Sequence, residues 1–268
     1  MSETTRPLAL SSLPVQRADA AWAAVRTMTG RSWRLQMRQM DGLLASLALP
    51  VMVMLVSVIL FSGAIHTGTS YVDYVVPGVL MICVGIGAGT TAVSVAQDLT
   101  GTIIDRFRSM DVPAPTLIGG HAVTGAARNL LATALVFGVA FAIGFRSQAD
   151  AAAWLAVAAI LALFVFALSW LAATVGIATR SAEAANGIAF FLSFLAYPSS
   201  AIVPISTMPA WLRGFAGVQP LTQVIDTVRG LLSGTAVGPS AWNAVVWSLA
   251  IIVASAALAV LLFRRRTR

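Results

Sequence analysis

The sequence predicts an all-α integral membrane protein with six transmembrane helices. The chain has 268 residues, of which 58% are hydrophobic and only 10% are charged. Soluble domains carry about 25% charged residues, so this chain has too little polar surface to cover a globule of its size. Its apolar runs reach about 18 residues or more, the length needed to cross about 30 Å of hydrocarbon. Because backbone groups in lipid must be satisfied within their own segment, the runs are predicted to be helices.

Six runs meet this length. They are predicted at about 43–62, 75–97, 121–145, 152–177, 185–204 and 243–263. Residues 42–263 are therefore predicted to form one six-helix transmembrane domain, which residues 264–268 follow as a basic cytosolic tail. Gly85 and Gly89 form a small-xxx-small pair in the second run, which permits close helix contact. Two interpretations of this pair are open: packing of helices inside the membrane, or a place at a dimer interface or cavity.

The arginines fall mainly on one side of the predicted membrane. All 17 basic residues are arginine, and thirteen of them lie in the two tails and in the second-to-third and fourth-to-fifth connections. Only three lie in the other connections. Positively charged connections stay in the cytoplasm, so the sequence predicts a multi-pass protein of the bacterial cytoplasmic (inner) membrane with both termini cytosolic. Because these arginines mark the inner leaflet, nucleic acid is not expected as a partner.

The N-terminal region is predicted to hold a tail and an interfacial helix. Residues 1–17 are predicted to be a disordered cytosolic tail, and the lack of an early apolar core argues against a cleavable signal peptide. Residues 18–41 carry an apolar stripe with Trp33 beside an arginine stripe with Arg34 and Arg38. Such an amphipathic helix typically lies in the membrane interface, in contact with lipid. An ordinary basic anchor on the cytosolic side is the alternative.

A charged segment, TGTIIDRFRSMDVPAP, separates the second and third runs. Its apolar face at helical spacing consists of Leu99, Ile103, Phe107 and Met110. The rest of its surface carries Asp98, Asp105, Arg106 and Arg108. Pro113 and Pro115 end the pattern, so the segment is predicted to be a short amphipathic helix in the cytosol. Its charged residues include no nucleophile–base pair, and a solvated connector does not need the apolar face, so a docking surface is predicted.

The chain lacks the residues of an ATPase and of a metal site. It has no lysine, which a Walker-type phosphate-binding loop needs to reach the β- and γ-phosphates. His66 and His121 lie far apart without a Cys or carboxylate cluster, so no metal ligands are predicted. No catalytic residues and no bound cofactor are expected. A chain that carries a docking helix but no ATPase motif of its own is expected to dock to a separate protein that supplies the energy.

Two short amphipathic helices are predicted between the fifth and sixth runs. The first carries Trp211, Phe215 and Val218 at helical spacing. After Pro220, the second carries Leu221, Val224, Ile225, Val228, Leu231 and Leu232. Each is too short to cross the membrane, so both are predicted to be re-entrant in the outer leaflet or to lie on it. Asp226 and Arg229, three residues apart on the second helix, are predicted to pair.

Arg128 and Asn129 lie in the cytoplasmic part of the third run. A charge inside the membrane is a functional candidate. Arg128 is also close enough to the inner interface for its side chain to extend to that interface, and the two interpretations are both open. The scarcity of charge in the runs fits an amphipathic or lipid-like cargo better than ions or sugars.

Five separated stretches make the sequence resemble a known family. They are RSWRLQMRQMDGLLASLALPVMVMLV, YVDYVVPG, QDLTGTIIDRFRSM, RSAEAANGIAFF and PISTMPAWLRGFAGVQPLTQVIDTVRGLL. In this order they resemble the membrane subunits of ABC-2 type transporters, in particular the daunorubicin-exporter-like permeases. Three positions depart from the family's pattern: Gln97 stands in place of Glu, Asp111 in place of Pro, and Gln219 in place of the Asn before Pro220.

The resemblance implies the permease subunit of an ATP-binding-cassette exporter, which moves a hydrophobic or amphipathic compound (drug, antibiotic or lipid) out across the cytoplasmic membrane. It also implies a dimer with a second permease chain, identical or homologous, and two copies of a cytosolic ABC ATPase that bind ATP and Mg. The chain itself is then not an enzyme. By resemblance, the ATPase-coupling helix comprises Asp98, Gly101, Asp105, Arg106, Phe107 and Arg108.

Two other functions are open. An ion-coupled secondary transporter needs paired acids or a broken-helix site at mid-membrane, whereas nearly all acids of this chain lie near the run boundaries. A non-transporting membrane scaffold needs no cargo contact, and no residue pattern in the sequence identifies such a contact. A separate ATPase that co-purifies with the chain would distinguish the exporter from both alternatives.

Overall fold

The computed structural model describes residues 40–63, 70–100, 114–179 and 181–266, and all regular structure in these ranges is helical. The helices are α1 (Met40–Phe61), α2 (Tyr71–Thr100), α3 (Ala114–Ile143), α4 (Ala151–Ala178), α5 (Ala182–Phe194), α6 (Ala210–Val218), α7 (Pro220–Ser233) and α8 (Ser240–Arg266). A short 3-10 turn, Ile205–Thr207, precedes α6. The all-α class predicted from the apolar runs is confirmed for these ranges.

Four of the described helices are long and apolar enough to cross a membrane. The candidate spans are Tyr71–Leu99, Ile118–Ile143, Ala151–Ala178 and Ser240–Leu262. The shortest has 23 residues, which is roughly 34 Å of helix at about 1.5 Å per residue and exceeds the hydrocarbon thickness of about 30 Å. Two shorter apolar stretches, Leu47–Phe61 in α1 and Ala182–Phe194 in α5, accompany them. The protein is therefore a multi-pass membrane protein.

Helix α2 is the centre of the bundle. It packs against α1, α3, α4, α5 and α7, and most residues of its span are buried, whereas few of those in α8 are. Val79 and Leu80 of α2 lie in the main apolar core together with Val136 of α3 and Phe164 of α4. Large apolar side chains such as Ile59 lie on the outside, as suits a bundle whose surroundings are hydrocarbon.

Helix α5 ends ten residues before the boundary predicted for the fifth run. The run was predicted over 185–204, whereas α5 ends at Phe194. Pro198 provides the physical reason, because it has no N–H for the carbonyl of Phe194 and its ring would clash with that carbonyl. The three backbone amides that follow α5 instead donate to carbonyls three residues earlier. With 13 residues, α5 is roughly 20 Å long and by itself falls short of the hydrocarbon thickness.

The two helices predicted before the last run are present as α6 and α7. Pro220 stands at the start of α7, where its missing N–H leaves no helical hydrogen bond unmade. Gly234 ends α7 with a φ of 67°, a left-handed conformation that glycine adopts without a side-chain clash. The apolar face of α7 lies in the main core, whereas Trp211 and Phe215 of α6 are exposed. The two helices therefore have different surroundings.

The connections between helices collect at two opposite ends of the bundle. At one end, which we name the Gln148 end, the backbone N–H of Gln148 donates to the carbonyl of Leu232 at 2.9 Å. The Tyr71 hydroxyl donates to the carbonyl of Ile202 at the same end, also at 2.9 Å. At the other end, which we name the Asp98 end, Asp98 of α2 meets His121 of α3. Every charged candidate described below belongs to one of these ends, except Arg128.

Candidate functional site

The segment predicted to couple to an ATPase lies outside the described residues, but both helices that flank it are described. Helix α2 ends at Thr100 and α3 begins at Ala114. Five predicted coupling residues fall between these ends: Gly101, Asp105, Arg106, Phe107 and Arg108. The predicted interfacial-helix residues also lie outside the described part of the chain: Trp33, Arg34 and Arg38. The sixth coupling candidate, Asp98, is described.

Asp98 ties the end of α2 to the beginning of α3. Its Oδ2 lies 3.1 Å from Nε2 of His121, and the two side chains are 33% and 13% exposed. Leu99 and Ile118 pack beside this contact in an apolar cluster that also includes Ile177 of α4. A polar bridge and an apolar cluster thus join the two helices that enclose residues 101–113. Movement of that segment would therefore reach α2 and α3 together.

His121 is not among the residues that the sequence predicts for this end. The prediction weighed His121 only as a metal ligand, and a lone histidine is a weak signal for that role. A histidine and an aspartate in the flanking turns of two consecutive spans were a signal for the contact. Among the described residues, no group of three or more His, Cys, Asp or Glu side chains is placed to hold a metal ion.

Arg128 extends sideways to α2 instead of along α3 to the membrane interface. Its Nη2 donates to the carbonyl of Gly87 at 2.9 Å and to the hydroxyl of Thr91 at 3.2 Å. The same nitrogen donates to the hydroxyl of Thr90. All three acceptors lie near the middle of α2. Of the two interpretations open from the sequence, extension to the inner interface is therefore wrong.

Asn129 occupies the buried side of the same contact between α2 and α3. It is 1% exposed, and its Nδ2 donates to the carbonyl of Val84 at 2.8 Å. A side chain on Gly87 would occupy the space that the Asn129 amide fills, so glycine at this position permits the approach. The Oδ1 atom of Asn129 is buried and has no hydrogen-bond partner among the described residues. The two helices are therefore held together by polar contacts with backbone carbonyls.

Gly85 and Gly89 face α5 of the same chain. A Cβ atom on Gly85 would lie 3.1 Å from the Cα of Ser193, and one on Gly89 would lie 3.0 Å from the Cβ of Ala189. Ala88 of α2 and Ala185 of α5 belong to the same small-residue cluster. The pair thus permits close packing of α2 on α5, as small residues do between membrane helices. That this surface also takes part in a dimer interface or lines a cavity stays a prediction.

Asp226 and Arg229 form the ion pair that their spacing predicts. Nη1 of Arg229 lies 2.8 Å from Oδ1 of Asp226. The Arg229 side chain is 17% exposed and the Asp226 side chain 39% exposed. Ser200 donates to the same carboxylate oxygen at 2.6 Å. The Arg229 guanidinium also lies 3.9 Å from the centroid of the Tyr74 ring, in the geometry of a cation–π contact.

The irregular segment 195–204 is fastened to the bundle through three of its carbonyl groups. The Pro198 carbonyl accepts from Nε2 of Gln219. The Ser200 carbonyl accepts from Nη2 of Arg229 at 2.6 Å and from the Tyr74 hydroxyl at 3.2 Å. The carbonyl of Ile202 accepts from the Tyr71 hydroxyl. Non-helical backbone at membrane depth is tolerated where protein groups satisfy it in this way.

We refer to Tyr71, Tyr74, Ser200, Gln219, Asp226 and Arg229 as the carbonyl clamp. The sequence predicts only its last two members. Tyr71 and Tyr74 lie one turn apart at the beginning of α2, but their partners lie 131 and 126 residues away along the chain. No local pattern connects positions at that separation. The carbonyl clamp is a structural site at the Gln148 end, and its atoms are largely occupied by one another.

Long apolar helices with polar contacts at both ends and one arginine midway define a multi-pass helical membrane protein. The chain belongs to the ABC-2 type transporter family, whose sequence profile matches residues 23–233. It is therefore a permease subunit of an ABC transporter. The match ends at the last residue of α7 and includes every candidate residue described above.

Two curated relatives extend this comparison. The daunorubicin resistance ABC transporter permease protein DrrB1 of Streptomyces coeruleorubidus is 26% identical over 226 residues, which cover 82% of this chain and 80% of the relative. The probable doxorubicin resistance ABC transporter permease protein DrrC of Mycobacterium tuberculosis (strain ATCC 25618 / H37Rv) is 22% identical over 265 residues, which cover 96% and 95% of the two chains. Both relatives are named as permeases of drug-resistance transporters.

Proposed function

We propose that this chain forms the membrane path of an exporter that moves a hydrophobic or amphipathic compound out across the bacterial cytoplasmic membrane. The observation that carries the proposal is the family match over residues 23–233 together with relatives named for daunorubicin and doxorubicin resistance. The apolar surface of the described helices supports a cargo of this kind. A drug, an antibiotic and a lipid all fall within the class.

The transport complex that we propose contains two permease chains, identical or homologous, and two copies of a separate cytosolic ATPase. ATP and Mg are bound by that ATPase, because this chain has no lysine for a Walker-type loop. Helices α1 and α5 complete six crossings with the four long helices, and both termini are cytosolic. Helices α6 and α7 are re-entrant at the outer face. The gathering of the alternate connections at the Gln148 end supports this arrangement.

Coupling to the ATPase is proposed to occur at residues 101–113. The described residues support this through the contact of Asp98 with His121 and the apolar cluster beside it. These contacts join α2 to α3, and α2 packs against five other helices of the bundle. A push on the segment between the two helices would therefore be passed to the whole membrane domain.

Arg106→Glu tests this role. A charge-assisted contact to the ATPase contributes about 1.5–3 kcal/mol when buried and much less at a wet edge. We expect Arg106→Glu to leave the permease in the membrane and to abolish its stimulation of the ATPase. Arg146→Glu makes the same charge change at the exposed Gln148 end and is expected to leave the stimulation unchanged. Normal ATPase stimulation by the Arg106→Glu complex would contradict the coupling role.

Co-purification tests the exporter proposal as a whole. A separate cytosolic ABC ATPase of the same organism is expected to copurify with this chain in detergent, and its ATP hydrolysis is expected to rise with some hydrophobic compounds of a graded panel. A permease that binds no ATPase would be incompatible with the proposal and would favour an ion-coupled transporter or a scaffold. Transport that follows an ion gradient and ignores ATP would identify the ion-coupled transporter.

A further inference from the structure

Arg128 is placed deep within a membrane-crossing helix. The candidate span of α3 begins at Ile118 and ends at Ile143. At about 1.5 Å per residue, Arg128 is roughly 15 Å from the first of these residues and roughly 22 Å from the second. Its partner Gly87 is likewise near the middle of α2. The guanidinium is therefore held well inside the span, nearer to the Asp98 end, where ionisable side chains are costly and mark functional sites.

Among the described residues, the guanidinium is bound through one of its three nitrogens. Nη2 makes the contacts with Gly87, Thr90 and Thr91, and all three acceptors are neutral oxygens. Within the described part of the chain, Nε and Nη1 of Arg128 form no hydrogen bond. Both bidentate edges of a guanidinium include Nη2, which is occupied here, so Nε and Nη1 each retain a separate charge-assisted hydrogen bond for an anion.

The described part of the chain supplies no carboxylate for this cation. Acidic residues in that part lie in the first or last turns of helices, in connections or in α7: Asp41, Asp73, Asp98, Asp150, Glu183 and Asp226. Asp98 is eight residues from Thr90 along α2, which is about 12 Å of helix. Arg229 is different in this respect, because its charge meets Asp226 at 2.8 Å. A cation removed from water without a counter-charge is strongly destabilised, and among the described residues no anion balances the charge of Arg128.

The same place is open to the surface of the bundle. Thr90 is exposed, although most residues of α2 are buried, and Arg128 is half-buried. The side chains of Thr90 and Arg128 meet where α2 and α3 pack together. A group that enters from the surface at this depth can therefore reach the Arg128 guanidinium beside Thr90 without separating the helices.

We propose that Arg128, with Thr90 at its edge, is a binding site for an oxyanion (a carboxylate or a phosphate) carried by an amphipathic molecule at mid-membrane depth. One of the unused nitrogens, Nε or Nη1, donates to an oxygen of the anion, and the Thr90 hydroxyl borders it. The low dielectric around the site strengthens such charge-assisted hydrogen bonds. The same positive charge disfavours a cationic group. If the bound molecule is the cargo, which rests on the proposed export function, the exporter selects anionic amphiphiles.

Binding of matched amphiphiles to the complete permease–ATPase complex tests the site. The complex is placed in nanodiscs of phosphatidylcholine, and native mass spectrometry measures the dissociation constants of dodecyl phosphate, dodecyl maltoside and dodecyltrimethylammonium. The tail is the same in all three, so the difference reports the headgroup. We expect the wild-type complex to bind dodecyl phosphate about tenfold more tightly than the maltoside, and the cation most weakly.

Three variants separate the site from a general effect of charge. Arg128→Gln removes the cation, and Thr90→Asp supplies an internal carboxylate next to it. We expect both to reduce the preference for dodecyl phosphate to within about twofold of the maltoside. Arg146→Gln removes an exposed arginine at the Gln148 end and is expected to keep the full preference. Thr90→Asp retains the contacts of Arg128 with Gly87 and Thr91, so it provides the test if Arg128→Gln does not fold.

Two results would overturn the proposal: equal binding of all three amphiphiles by the wild type, or an unchanged phosphate preference in Thr90→Asp. Nanodiscs that contain phosphatidylglycerol distinguish the source of the oxyanion. A resident lipid is indicated if phosphatidylglycerol displaces dodecyl phosphate and ATP hydrolysis does not respond to dodecyl phosphate. Cargo is indicated if dodecyl phosphate stimulates ATP hydrolysis in the wild type and not in Thr90→Asp. Both results retain the oxyanion site.

The same measurements keep this inference separate from the export function. If no amphiphile stimulates ATP hydrolysis while the phosphate preference still depends on Arg128, the oxyanion site stands and the export proposal fails. If dodecyl phosphate and dodecyl maltoside stimulate ATP hydrolysis and bind equally in the wild type and in Thr90→Asp, export stands and the oxyanion site is rejected.

Discussion

Two arginines of this protein have opposite electrostatic surroundings. Arg229 has a carboxylate within 2.8 Å, two backbone carbonyls and the face of Tyr74 as partners. Arg128 has one backbone carbonyl and two hydroxyls. A satisfied cation such as Arg229 serves to fasten chain segments, whereas a cation such as Arg128 retains affinity for an anion from outside. The residue type is the same, and the partners decide the role.

Arg229→Gln is expected to destabilise the protein through the loss of the carbonyl clamp. Removing one partner of a buried ion pair costs about 3–5 kcal/mol, and we expect about 3 kcal/mol because Asp226 remains 39% exposed. The melting temperature in detergent is expected to fall by several degrees. In the Asp226→Asn background the same change is expected to cost less by about 1 kcal/mol, since the two residues share one interaction.

Arg146→Gln is the matched control, because Arg146 is exposed at the same end and its side chain donates only to the carbonyl of its neighbour Phe145 among the described residues. Its melting temperature is expected to stay at the wild-type value. Equal melting temperatures for Arg229→Gln and Arg146→Gln would show that the carbonyl clamp contributes nothing to stability.

At the level of elements, α5 and the irregular segment after it depend on glycines in α2. Gly85 and Gly89 permit the close approach of α5. Gly78, about two turns before Gly85, permits that of the irregular segment. A side chain on Gly78 would overlap the backbone of Ala201. Helix α5 is therefore laid along α2 by small residues, and the carbonyl clamp holds the chain that follows α5. A short helix in lipid gains its stability from such packing, because its own length does not span the membrane.

Gly89→Leu is expected to push α5 away from α2. Overfilling a packed contact typically costs about 1–3 kcal/mol, so the melting temperature in detergent is expected to fall. Gly138→Leu is the control, because Gly138 is an exposed glycine inside α3 with no atom within 4 Å of its would-be Cβ. That change is expected to be neutral or slightly stabilising, since glycine is a poor helix former. Equal behaviour of the two variants would contradict the packing of α5 on this face.

For the whole molecule, the two ends of the bundle are expected to face opposite sides of the membrane. The native Cys83 is 3% exposed, so a Cys83→Ala background suits single-cysteine labelling. Thr207 is exposed in the connection before α6, and Glu183 is exposed at the beginning of α5. Each is replaced by cysteine in turn. A membrane-impermeant maleimide is expected to label Thr207→Cys in intact cells, and Glu183→Cys only after lysis.

Labelling of Glu183→Cys in intact cells would reverse the orientation predicted from the arginines. Labelling of both positions would mean that the two ends do not lie on opposite sides. The first outcome would also move residues 101–113 out of reach of a cytosolic ATPase, since Asp98 and His121 lie at the end opposite to Thr207. The orientation and the coupling proposal are therefore tested together at this scale.

Much of the fold follows from local properties of the chain. Apolar run length predicts helices that match α1 to α4 and α8 within a few residues at most ends, and helical spacing on both sides of Pro220 predicts α6 and α7. Run length fails at α5, because the apolar character continues past Phe194 while Pro198 prevents the helix from doing so. Apolar composition indicates that a segment lies in hydrocarbon, whereas the position of a proline decides where the helical hydrogen bonds end.

The sequence by itself determined the class of the protein, the number and order of its helices in the described ranges, and the pairing of Asp226 with Arg229. These follow from composition and from spacing within one helix turn. Only the tertiary structure decided that His121 meets Asp98 and that Arg128 lies against Gly87. It also decided that Tyr74 and Arg229, which are 155 residues apart, both donate to the carbonyl of Ser200. Such contacts depend on how each helix is rotated and shifted against its neighbour. Local periodicity says which face of a helix is apolar, but it leaves the partner of that face undetermined.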